Sequence, residues 1–215
     1  MGEAMMITGR NINAHNSLFL IIDIQRNLAA AMDKDVFHKV ENNVRLLIAT
    51  CNILKVPVFL TEQYHKGLGP TVDPIVKDLG PLYKPMEKVI FSACGEPAFC
   101  NDFKPMERKY VFIAGIEAHV CVLQTALDMI ANGFHVHVVR DAMCSRYKED
   151  WKNALGYMRD AGAVITTTET VAFQLLQKAG TPEFKAVSPL FKNKESLLKS
   201  DNIPIIPLSS HHFPP

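Results

Sequence analysis

The run Tyr110-Val111-Phe112-Ile113-Ala114, closed by Gly115, constrains the fold of this chain more than any other stretch. Five consecutive apolar residues suit a strand buried on both faces, as in parallel sheets covered by helices. Gly115 then turns the chain. From about His119 the spacing becomes helical, with Val122, Ala126, Met129 and Ile130 on one face and Asn132-Gly133 as the stop. This puts Cys121 in the first turn of a helix, where unpaired backbone N–H groups and the helix dipole favour an anion. A cysteine so placed is either a thiolate nucleophile or a small buried hydrophobe.

The same alternation recurs along the chain. Ser17 to Ile22 is an apolar strand ending at Asp23, a carboxylate costly to bury unless it is paired or used; a cap over Gln25 and Arg26 is the alternative. Asp35 is placed to cap a helix running to Val56, with Phe37, Val40, Val44, Leu47, Ile48 and Ile53 at helical intervals and Pro57 as the stop. Val58 to Thr61 reads as the second strand. Glu62 to Thr71 follows as a Gly/Pro-punctuated loop, at the edge where open α/β sheets bind ligands. Asp73 to Leu79 reads as a short helix, Val89 to Phe91 as the third strand, and Pro97 to Phe103 as another short helix. Lys88, beside that third strand, reads by itself as a solvated surface charge.

His135 to Val139 alternates as a strand does, and Ala163 to Thr166 is the sixth. His135 and His137 share a face, where packing and hydrogen bonding are favoured over metal binding. Lys148 to Ala161, Thr168 to Ala179 and Pro182 to Phe191 read as helices. Six strands with helices between most of them predict a parallel, helix-covered sheet joined by right-handed crossovers, with Asp23 and Cys121 on its carboxyl edge.

At 215 residues the chain suits one domain able to bury roughly 70% of its unfolded surface. The expected division is an extension over 1–16, the domain over 17–191 and a proline-bearing arm over 192–215. Twenty-three basic against 22 acidic residues leave a net charge of +1, which argues against nucleic acid or a membrane as partner and for a small-molecule substrate. Five dispersed cysteines without a Cys-x-x-Cys pair argue against a disulfide framework and for a reducing compartment. The cytoplasm is expected, with a mitochondrial location the alternative. No segment approaches the roughly 18 apolar residues of a membrane-spanning helix.

Three features taken together, Asp23 after the first strand, Lys88 followed by Val-Ile-Phe-Ser-Ala, and Gly115-Ile-Glu-Ala-His-Val-Cys121-Val122, resemble the isochorismatase-like cysteine hydrolase superfamily. The match in order and spacing covers roughly residues 17 to 190. Leu60-Thr61-Glu62-Gln63-Tyr64, Gly67-Leu68-Gly69, Thr71 and Gly115-Ile116-Glu117-Ala118 are similar to its isochorismatase domain-containing subgroup. The resemblance implies a three-layer, Rossmann-like α/β fold with a six-stranded, mainly parallel sheet, and a homo-oligomer.

It also implies a triad of Cys121 as nucleophile, Asp23 as general base and Lys88 as the cation coupling them, a combination that is chemically coherent without the family. A cis peptide at Ile116-Glu117 and an oxyanion hole from the N–H groups of Glu117 and Cys121 are implied as well. Glu62, Tyr64, Phe91 and His119 are substrate-pocket candidates because their loops converge on the same edge; Glu62 and His119 are as readily structural. Nicotinamidases of the superfamily hold zinc with an Asp-x-His pair after the second strand, where this chain has Glu62-Gln63-Tyr64-His65, so neither a metal nor another cofactor is expected. Cys121 is absent from the vinyl-ether-cleaving isochorismatases, which shifts the expectation to hydrolysis of a small amide or related acyl compound through a thioester. The alternatives are a non-catalytic binding or scaffolding protein and a zinc-dependent amidase.

Overall fold

Strands without polar alternation occupy the centre of the sheet, because both of their faces are covered. In the computed structural model, which describes residues 12–97, 99 and 107–192, β1 (Ser17–Ile22) and β4 (Tyr110–Ile116) are buried at every position. They are flanked by β2 (Val58–Gln63) and β3 (Met86–Lys88) on one side and by β5 (His135–Cys144) and β6 (Val164–Thr166) on the other. The order is β3-β2-β1-β4-β5-β6, and every pairing between these strands is parallel. The order reverses between β1 and β4, and the crevice outside the carboxyl ends of such a pair is where open α/β sheets take ligands.

The helices are α1 (Arg26–Ala30), α2 (Lys34–Leu54), α3 (His65–Leu68), α4 (Asp73–Leu79), α5 (Leu123–Ala131), α6 (Lys148–Asp160), α7 (Thr168–Leu176) and α8 (Pro182–Lys192). Val40, Val44, Leu47 and Ile48 of α2, with Val171 and Leu175 of α7, cover one face of the sheet. Ala126 and Met129 of α5, with Ala154 and Met158 of α6, cover the other. The result is three layers, with α8 packed outside α2 and α7. Among the described residues no helix is long and apolar enough to cross a membrane.

Several boundaries differ from expectation. Asp33, not Asp35, caps α2: its side chain accepts from the Val36 N–H at 3.0 Å, while Asp35 lies inside the first turn. The third strand is Met86–Lys88 rather than Val89–Phe91. β2 ends at Gln63, which pairs with Lys88, so the ladder offers nothing further to bond, and Val89, Ile90 and Phe91 turn outward, 71%, 48% and 50% exposed. The loop after β2 contains α3. β5 runs on to Cys144 through a register shift opposite Ile113–Gly115, a bulge that re-aims its last residues. α7 ends at Leu176, where Gln177 takes a left-handed conformation. Of the sequence expectations, the arm, most of the N-terminal extension and most of the Pro97–Phe103 helix lie outside the described residues.

Candidate active site

Asp23 follows β1 with φ of 50°, a left-handed conformation that Asp tolerates better than most residues. Its carboxylate is fully buried and doubly held: Oδ1 accepts from Thr61 Oγ1 and Oδ2 from Lys88 Nζ, each at 2.6 Å. Lys88, at the end of β3, donates also to Gln63 Oε1 at 2.7 Å and to the Phe91 carbonyl at 3.0 Å. All three ammonium hydrogens are therefore engaged. Gln63 is fixed in turn, since its backbone N–H donates to Gln25 Oε1 at 2.7 Å and its Nε2 to the Val89 carbonyl at 2.7 Å. Gln25 Nε2 closes the frame on the carbonyls of Gln63 and Gly69.

Cys121 reaches this frame from β4. Ile22 of β1 pairs with Gly115, whose φ is +141°, and a Cβ at Gly115 would overlap the Ile22 carbonyl. Only glycine allows the two strand ends to approach so closely. The Ile116–Glu117 peptide is cis, and Ala118–Val122 winds as one π-helical turn into α5. The Glu117 carbonyl accepts from the N–H groups of Val120 and Val122, and its carboxylate from the Arg146 backbone N–H and Nε at 3.0 and 3.1 Å.

Cys121 is 5% exposed. Burial pushes its pKa well above the ordinary value; the Asp23 charge and a hydrogen bond to Asp23 push it further up, while Lys88 opposes both. Asp23, Lys88 and Cys121 thus act on one another at one point. The helix start favours the Cys121 anion, while desolvation and the neighbouring carboxylate oppose it.

The surrounding candidates separate. Glu62 is corrected from pocket residue to internal tie, because alternation along β2 turns it away from Thr61 and Gln63. Its Oε1 accepts from Thr71 N–H, Thr71 Oγ1 and Tyr83 OH, each at 2.7 Å, and its Oε2 pairs with His65 Nδ1 at 2.5 Å. Burial pushes its pKa up, but the hydrogen bonds from Tyr83, Thr71 and His65 outweigh burial and leave it below the usual carboxylate value. Tyr64, 57% exposed, and Phe91 stand at the rim, with the Tyr64 N–H on the Lys88 carbonyl at 2.8 Å. His119 is half-buried, with Nδ1 2.9 Å from Ser145 Oγ. His137 packs on Phe112 and Tyr110 as expected, but among the described residues neither ring nitrogen has the expected hydrogen bond. Among the described residues no group of three or more His, Cys, Asp or Glu is placed to hold a metal ion.

The isochorismatase domain family profile matches residues 17–170. The chain belongs to the isochorismatase domain family. Isochorismatase family protein 1A of Dictyostelium discoideum is 40% identical over 192 residues, which cover 87% of this chain and 92% of that one. A solved Caenorhabditis elegans structure described as the MAR1 ribonuclease superposes with a TM-score of 0.77 at 37% identity, covering 94% of this chain and all of that one. The Escherichia coli YcaC product, described as an octameric hydrolase of unknown specificity, superposes with a TM-score of 0.76 at 25% identity, covering 88% of this chain and 97% of that one.

Within this isochorismatase-family site, sequence reasoning passed over Thr61, Gln63 and Gln25. Thr61 lies inside an apolar run, and Gln25 reads only as a position capped by Asp23. The available signal was polar side chains at two strand ends already expected to share an edge, since buried polar groups there need partners.

Proposed function

We propose that this protein is a cysteine-dependent hydrolase of small amides or related acyl compounds, acting through a thioester on Cys121. The observation that carries this reading is the coupling of the Cys121 thiol to the buried Asp23–Lys88 pair. Lys88 has no donor left for a substrate, so it serves as a fixed counter-ion. Asp23 retains free lone pairs and takes the Sγ proton as sulfur attacks the carbonyl carbon. The N–H groups of Glu117 and Cys121 receive the oxyanion. Collapse expels the leaving amine, which takes the proton from Asp23, and leaves the acyl group on sulfur. Asp23 then deprotonates a water that attacks the thioester, releasing the acid and restoring the thiol.

This order of events needs no resting thiolate, since the proton moves only when an electrophile is in place. Tyr64, Phe91 and His119 are the proposed contacts for the rest of the substrate. The working unit is the domain over 17–191, without a cofactor, in a homo-oligomer like that of the E. coli relative and in the cytoplasm.

The test incubates native and Cys121→Ala protein with a panel of small amides, with RNA as a separate arm, and follows product and intact mass. Turnover and an acyl adduct on the native protein alone support the reading. Equal turnover by Cys121→Ala overturns it, activity lost to a chelator points to metal, and cleavage of RNA alone points to the activity in the C. elegans protein's description. Light scattering of the native protein reads the assembly.

A further inference from the structure

A cavity of about 900 Å³ opens between the start of α2, the bulged end of β5 and the start of α6. That volume suits a small ligand. None of Asp23, Lys88 and Cys121 lines it. Its walls are apolar where Val36, Val40, Met143 and Trp151 meet, and its cations are Lys39, Arg140, Arg146 and Lys148. Arg146 is held by Glu117, and Arg140 lies over the Trp151 ring, 5.6 Å from its centroid. Lys39 and Lys148 form no ion pair among the described residues, and both are exposed. The two acidic lining residues are engaged as caps: Asp33 accepts from Val36 N–H, and Asp141 Oδ1 from Thr168 N–H and Oγ1.

Asn43 ties the wall of the cavity to β5: at 5% exposure, its Nδ2 donates to the Asp141 carbonyl.

We propose that this cavity binds a small amphipathic organic anion, distinct from the substrate at Cys121. The anionic head meets Lys39, Lys148 and Arg140, and the apolar body lies against Val36, Val40, Met143 and the indole. Ser145 and Arg146 in the wall also bond to His119 and Glu117, which joins this site to the turn bearing Cys121. The inference does not rest on hydrolysis at Cys121.

Trp151 is the sole tryptophan of the chain, so its emission reports on this cavity directly. Full-length protein is titrated with 4-amino-3-iodobenzoate, whose iodine quenches an indole on contact. Saturable quenching is expected, with affinity about tenfold weaker for uncharged 2-iodoaniline and for a Lys39→Gln/Lys148→Gln double variant, and unchanged in Cys121→Ala. Both lysines are exposed, so the double variant retains its fold, which far-UV circular dichroism checks. Non-saturating quenching, equal affinity for 2-iodoaniline, indifference to the double substitution, or loss in Cys121→Ala each overturn the proposal. Absence of any quenching because a second copy seals the cavity in the native assembly overturns it too.

Discussion

The Lys88 ammonium stands 2.6 Å from Asp23 Oδ2, and both side chains are wholly removed from water. Removing one member of such a pair leaves an uncompensated buried charge, which costs about 3–5 kcal/mol. Lys88→Met should therefore lower the free energy of unfolding by that order, read by urea denaturation. If the proposed chemistry is right, turnover should fall about 10²–10⁴-fold as well, because the base loses its counter-ion. Wild-type turnover in a folded Lys88→Met protein would remove Lys88 from the mechanism.

Gly115→Ala places a methyl against the Ile22 carbonyl at a backbone φ of +141° that L side chains rarely adopt. The strand ends carrying Asp23 and Cys121 must then separate. A loss of about 3 kcal/mol or more is expected, combining overpacking with backbone strain. A melting temperature matching the native protein's would show that β1 and β4 do not approach as closely as described.

Three buried thiols make the fold sensitive to alkali. Burial, followed by the Glu117 and Asp33 charges, pushes Cys144 from 9.0 up to about 12, and burial raises Cys51 and Cys121 further. Above about pH 9 the unfolded thiols ionise while the folded ones keep their protons, so the folded state binds more protons and stability falls as pH rises. The slope is about 1 kcal/mol per pH unit for each thiol in that window. Urea midpoints from pH 8 to 10.5 should fall for the native protein and fall less steeply for Cys51→Ala; parallel curves would contradict the assignment.

His137 has the opposite sign. Burial, then the charge of His135, lowers its pKa from 6.5 to about 4, so the unfolded state binds the extra proton between those values and stability drops as pH falls through the window. Among the described residues both ring nitrogens lack hydrogen-bond partners beside Phe112 and Tyr110. His137→Phe should match or exceed native stability at pH 7 and gain about 1–3 kcal/mol at pH 5, read by denaturation at both values. A gain independent of pH would mean that His137 does not titrate.

How far the sequence could be read depended on whether a residue's partners lay nearby in the chain. Asp23 was legible because a carboxylate ending an apolar run is costly, and Cys121 because the pattern changes from strand to helix just before it. Lys88 was different. Its own neighbourhood reads as a surface lysine, and only the resemblance raised it to a site residue. The third strand was placed one segment late for a related reason. Val89-Ile90-Phe91 is the more apolar stretch, yet pairing with β2 ends at Lys88, and no local property of those residues records where a neighbouring strand stops.

Glu62 shows the same limit on a finer scale. It falls within the last residues of β2, at the edge expected for the site, but one step along a strand reverses the face, and Thr71, Tyr83 and His65 hold it on the face opposite Thr61 and Gln63.

The sequence alone determined the alternation of strands and helices, the carboxyl edge shared by Asp23 and Cys121, and the nature of the groups there, since all of these follow from local periodicity and the cost of burying charge. Tertiary structure decided the rest: three acceptors closing on Lys88, a thiol coupled to the buried Asp23–Lys88 pair, and a cavity behind the Glu117–Val122 turn. Each depends on distances between segments tens of residues apart, and these are set by sheet register and helix packing.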